Sequence, residues 1–189
     1  MAELESDPEW VARRDERDRE FAERTARLRA AEEPLVDDLQ RVGLFVESVW
    51  DLVNTSEPYP EALPILFKHL ERPYPDAVRE GIARALAVGE DARFAGETLV
   101  RLYRDEKPGT RAKDGLAVAI AGVAGEGLLD EVVSLAGEPA HGTSRVLLLR
   151  ALERSRKPSA RAALGELSSD SGLAKEISLI KRRLRREKS

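Results

Sequence analysis

From Tyr59 onwards the apolar residues recur in short bursts at helical spacing, separated by turns that contain Pro or Gly. Val78, Ile82 and Ala85 fall at i, i+4 and i+7, one face of a helix. The same trio returns as Ala112, Leu116 and Ala119, then as Ser144, Leu148 and Ala151, then as Leu173, Ile177 and Ile180. Successive trios are 34, 32 and 29 residues apart, the period of a repeated helix pair. A partner helix precedes each: Glu61–Leu70, Ala92–Arg104, Leu128–Ala136 and Ser159–Leu167. Asp76, Thr110 and Asp170 suit the N-caps of the second helices, and Thr143 suits the third. Pro73, Pro108 and Pro139 fall near the turns inside three successive pairs. No segment alternates with β-branched residues, so no sheet is expected.

The first third of the chain is patterned differently. Residues 5–33 carry a thin apolar stripe of Trp10, Phe21 and Leu28, spaced by 11 and 7 in a dense run of charge. This reads as a solvated arm helix held by i,i+4 ion pairs. The alternative is a helix for a partner or for a homodimer. Pro34 suits the first turn of a new helix. Leu35, Leu39, Val42, Val46, Val49 and Val53 then form a strong stripe, with Gly43 as the place where it would split. The predicted organisation is a helical arm over 1–33, a capping helix or helix pair over 34–57, and four pairs over 58–189. Those pairs run about 58–88, 92–124, 127–155 and 158–187.

One repeat carries a family resemblance. Ala62-Leu63-Pro64-Ile65-Leu66, followed by Asp76-Ala77-Val78-Arg79 and Ala83-Arg84-Ala85-Leu86, resembles the HEAT-repeat pattern. That pattern has Leu-Pro in the first helix, Asp in the turn, and Val-Arg with small residues in the second. The repeat at 59–88 matches well; the later ones keep the pair and the basic position but lose the Pro and often the Asp. The resemblance spans roughly two thirds of the chain. It implies an all-α, right-handed α-solenoid of stacked antiparallel helix pairs, and specifies fold rather than activity. In such stacks the column Arg79, Lys113, Arg145 resembles an ion-pair ladder, with Asp76 as an acceptor. An anion-binding stripe is the weaker reading of that column.

Composition narrows the classes. The chain is 42% apolar but only 5% aromatic, so Leu, Ala, Val and Ile must build the core. Charged residues reach 35%, which fits a large exposed helical surface. There is no Cys, which excludes disulfides and thiolate chemistry. The longest stretch without charge, Gly115–Gly125, is too short to span a bilayer, and the first residues lack the pattern of a signal peptide. A cytoplasmic protein without membrane association is expected. Arg outnumbers Lys 24 to 7, a compositional hint of a GC-rich bacterial genome.

Net charge of −4 hides an asymmetry: residues 1–50 balance at −6 and residues 173–189 at +5. The basic tail comprises Lys181, Arg182, Arg183, Arg185 and Arg186. It reads as a solvated helix end, as a contact for the acidic first 50 residues, or, least of the three, as a nucleic-acid contact, since the pI is about 5.5.

Chemistry is sparse. His69 and His141 are the only histidines and read as surface or turn residues; no metal site and no cofactor are expected. Gly122, Gly125 and Gly127 read as a helix C-cap and turn. Some HEAT-like proteins resemble alkylpurine DNA glycosylases and others bilin lyases. The column Glu80, Asp114, Val146 is acidic to apolar, unlike a basic DNA-binding face, and Trp10 and Trp50 lie outside the repeats. The expected role is therefore a non-catalytic protein–protein scaffold. Its partner would lie along the second-helix face near Glu80, Arg84, Asp114, Val118, Val146, Leu149 and Arg150. Val118, Val146 and Leu149 form the apolar strip of that face. The rivals are a HEAT-like nucleic-acid-processing enzyme or binder using the basic C-terminal helix, and a self-associating structural protein.

Overall fold

A computed structural model describes residues 8–186; residues 5–7 of the expected arm helix and residue 187 of the last repeat lie outside them. Among the described residues there are ten α-helices and no strand. They are α1 (Pro8–Gln40), α2 (Val49–Asn54), α3 (Leu63–Leu70), α4 (Asp76–Ala85) and α5 (Gly96–Asp105). They continue as α6 (Arg111–Val123), α7 (Leu129–Gly137), α8 (Arg145–Arg154), α9 (Pro158–Glu166) and α10 (Ala174–Arg186). None of them is long and apolar enough to cross a membrane.

The even-numbered helices pack on one another in chain order, α2 on α4, α4 on α6, α6 on α8 and α8 on α10. The odd-numbered helices α3, α5, α7 and α9 each pack on an even-numbered neighbour in sequence. The residues of the four repeated trios are all buried, and they belong to one core that runs from Leu35 to Ile180, except Ala112 and Ser144, which are buried beside it.

Local chemistry explains the helix starts. Thr110 caps α6 by accepting the Lys113 amide. Ser48 and Asp51 make a reciprocal capping box on α2. Asp76 does not cap its own helix. Its carboxylate accepts the Arg111 and Ala112 amides at 2.9 and 2.8 Å, so it caps the second helix of the following pair.

The first third departs from expectation. Pro34 starts no helix; it lies inside α1, which is continuous through it. Pro34 and Ala30 are both exposed, so the carbonyl that loses its donor faces water. Meanwhile Leu28, Glu32, Leu35 and Leu39 seat α1 on the body on both sides of the proline. The stripe over 35–53 is also broken. Gly43, at φ +87°, ends the helix: its amide bonds to the Gln40 carbonyl and the Leu44 amide to the Leu39 carbonyl. Val42 and Phe45 are exposed in the resulting turn. Buried Glu32 closes it by accepting the Val49 amide at 3.2 Å, and burial raises its pKa.

Candidate functional site

The second-helix face is assembled by missing side chains. A Cβ on Gly115 would meet the backbone oxygen of Glu80 at 2.7 Å, and one on Gly122 would meet Ala87 Cα at 2.7 Å. These two glycines, two turns apart on α6, let its backbone touch that of α4 and of the residues that follow α4. Gly122 is therefore an interior contact residue of α6 and not part of a C-cap. Gly81 makes room for side chains of α2 instead, since a Cβ there would meet Val49 Cγ1 and the Trp50 ring.

Along this face the structure places a groove of about 470 Å³. Its walls come from Arg84 on α4, Val118 and Ala121 on α6, Val146, Leu147, Leu149, Arg150 and Glu153 on α8, and Glu176, Ile180 and Arg183 on α10. Five of the seven residues expected at a partner face thus share one concavity. Glu80 and Asp114 stand beside it. The apolar strip needs one correction: Val118 and Val146 are half-buried, but Leu149 is fully buried. It lies in the core beneath the groove, because α8 is packed by α6, α7, α9 and α10 together.

The charges of the face are mostly paired within the molecule. Glu80, itself buried, accepts Arg84 Nε at 2.9 Å and Arg111 Nε at 2.6 Å. Arg183 donates to both oxygens of Glu153, at 2.5 and 3.1 Å, and to Glu176 at 3.0 Å. Burial raises the pKa of Asp114, and the Glu80 charge adds to the rise.

The basic column turns inward with differing partners. Arg79 pairs with Glu106 rather than with Asp76. Arg145 is buried, donates to the carbonyls of Gly142 and Ala136, and pairs with Asp170 at 2.7 Å. The Arg145 hydrogen bond is the main cause that holds the Asp170 carboxyl below its ordinary pKa. Lys113 reaches no carboxylate. Its ammonium, 1% exposed, donates to the carbonyls of Tyr103 and Glu106 at 2.7 Å each and to His141 Nδ1 at 3.1 Å. It also stands 4.4 Å from the centre of the Tyr103 ring.

The basic tail is not one patch. Arg183 faces the groove and its two glutamates, whereas Lys181 and Arg185 line a separate concavity with Arg161, Leu164 and Leu184. Arg182 and Arg186 are exposed.

Both histidines are buried, contrary to the surface reading. His69 bonds through Nε2 to Asp38 at 2.9 Å and through Nδ1 to the Tyr74 hydroxyl at 2.6 Å. His141 packs against the Tyr103 ring, whose hydroxyl bonds Ser144 at 2.8 Å. Neither cluster was legible in the sequence, since the partners that hold each ring, Asp38 on α1 and Lys113 on α6, come from other helices; only the place of Lys113 in the basic column pointed inward. Among the described residues no group of three His, Asp or Glu is placed to hold a metal ion.

A roomier concavity of about 530 Å³ opens among Gly89, Arg93, Gly122, Gly125, Arg154 and Arg156. It lies at the C-terminal ends of α4, α6 and α8, and Arg154 is engaged there with the carbonyls of Ala121 and Gly122. That is a seam between turns, and the side chains expected at a partner face lie elsewhere. In comparisons with known proteins the chain matches no family model, no curated protein and no solved structure.

Proposed function

We propose that the chain is a HEAT-like, right-handed α-solenoid that acts in the cytoplasm as a non-catalytic scaffold, binding a protein partner along its second-helix face. The observation that supports this reading is the groove over α4, α6, α8 and α10, where Arg84, Val118, Val146 and Arg150, all expected at a partner face, converge above buried Leu149. Side chains from four helices line it, and its floor is apolar, a combination suited to an extended or helical segment. The basic tail supports nucleic-acid binding less well, because Arg183 is already engaged by two carboxylates. Self-association through α1 would use the exposed Phe21, but Arg14 and Arg17 interrupt its stripe between Trp10 and Phe21.

A photo-cross-linking amino acid at Val146, introduced in the native host, tests the reading. A discrete light-dependent protein adduct is expected, and Val118→Asp should abolish it. An adduct indifferent to Val118→Asp, or none at all, would sink the proposal.

A further inference from the structure

Most charges of the second-helix face have a partner within the molecule. Asp76 accepts two backbone amides. Glu80 holds Arg84 and Arg111. Glu153 and Glu176 hold Arg183. Arg79 is held by Glu106. Two side chains on this face make no hydrogen bond and no ion pair within the described chain: Asp114 on α6 and Arg150 on α8. Asp114 is half-buried and Arg150 is exposed at the groove wall.

Their placement follows from the repeat. Ala112 of α6 and Ser144 of α8 are equivalent, so Asp114 is level with Val146, and Val118 is level with Arg150. The two unpaired charges are therefore diagonal to one another across the α6–α8 contact, with Val118 and Val146 on the other diagonal. A half-buried anion beside the groove and a cation on its wall, with an apolar pair between, are complementary to a segment that carries both charges.

We propose that this groove takes a protein segment carrying one apolar side chain between a cationic residue, received by Asp114, and a carboxylate, received by Arg150. This inference rests on the scaffold reading and adds the chemistry of the partner to it. A purely acidic segment would leave Asp114 facing a like charge beside Glu80. A purely basic one would do the same at Arg150. A purely apolar one would take the half-buried Asp114 further from water without giving it a partner, which carries a cost. The groove thus selects charge order as well as charge, since reversing the segment end for end would set like charges against like.

The test is selection of peptides from a random phage-displayed library on the full chain, followed by binding of the selected sequence as a labelled synthetic peptide. The selected peptides should carry Lys or Arg and Asp or Glu on opposite sides of an apolar residue. Arg150→Glu should weaken the synthetic peptide about fivefold, the size of an exposed ion pair, and the difference should shrink in about 1 M salt. Replacing the peptide carboxylate by Lys should restore binding to Arg150→Glu but not to the natural chain. Asp114→Lys should behave in the same way towards the peptide cation. Circular dichroism of each variant checks that the helices are retained. If the selected peptides carry no charge, and respond to Val118→Asp but not to Arg150→Glu or Asp114→Lys, recognition of both charges is overturned while the scaffold reading stands. If no selected peptide responds to any of the three variants, both are overturned.

Discussion

His69 and His141 are equally hidden from water, yet one is fully served and the other is not. His69 sits between Asp38 and Tyr74. A carboxylate only accepts, so Nε2 carries the proton and Nδ1 accepts from the Tyr74 hydroxyl. If the ring gains a second proton, the hydroxyl turns and accepts it. His141 has the Lys113 ammonium against Nδ1, which must therefore accept. The proton is then on Nε2, which has no hydrogen-bond partner and stands 3.3 Å from the Glu138 carboxylate without the alignment of a bond. A second proton on this ring would point at a cation. The comparison shows that burial alone does not define a histidine's chemistry; the groups facing its two nitrogens do, a carboxylate and a hydroxyl at His69 and an ammonium at His141.

Removing the cation is the strongest way to break the comparison. Lys113→Ala leaves the carbonyls of Tyr103 and Glu106 without their donor and opens a cavity where the side chain lay. A loss of about 3 kcal/mol or more is expected in urea unfolding. A loss below about 1 kcal/mol would mean that water replaces the ammonium.

Phenylalanine separates the two rings directly. His69→Phe takes the ring partner from the Tyr74 hydroxyl and from Asp38, whose carboxylate keeps Lys68 and Arg41, and should cost about 2 kcal/mol. His141→Phe removes an unpartnered buried N–H along with one of the three acceptors of Lys113, and should stay within about 1 kcal/mol of the parent. Equal losses would show that both rings are held by packing alone.

Acid sharpens the contrast by a smaller amount. Burial lowers the pKa of both histidines, and for His141 the Lys113 charge lowers it further. The unfolded chain then binds more protons below about pH 6.5, so stability falls as pH drops through that value, by at most about 1.4 kcal/mol per pH unit for each histidine. The fall should flatten more in His141→Phe than in His69→Phe. Glu32 acts with the opposite sign, since its folded pKa is raised and its proton favours the fold. Asp38 enters only at lower pH. Hydrogen bonds from Lys68 and then His69 depress its pKa, so its contribution is present above the ordinary carboxylate range and is lost as pH falls below it. Denaturant midpoints across pH for the three proteins give the comparison.

What the sequence made legible was whatever depends on one helix at a time. The trios from Val78 to Ile180 lie where the 3.6-residue period puts them, because the period and the buried face are the same geometry. Residues that answer to two neighbours were not legible. Gly115 and Gly122 are small because of the backbone of the preceding pair, at Glu80 in α4 and at Ala87 just beyond it. Leu149 is buried because α8 is enclosed on more than one side. Pro34 has a strong local meaning that tertiary seating of Leu28 and Leu35 overrides. At the candidate site the residue types were legible, whereas the pairing that leaves Asp114 and Arg150 over depends on Arg111 and Arg183 reaching across from other helices.

Helix α1 has a mechanical meaning beyond its contacts. At 33 residues it is about 50 Å long, and its first side chain in the shared core is Leu28. Pro8 is thus held about 30 Å along the axis from the point of attachment, a distance given by helical rise rather than by coil statistics. The i,i+4 pairs Glu9–Arg13 and Glu23–Arg27 brace that span. In hydrodynamic terms α1 is a lever that the core grips at its C-terminal end, and its span adds drag that the packed helices alone would not have.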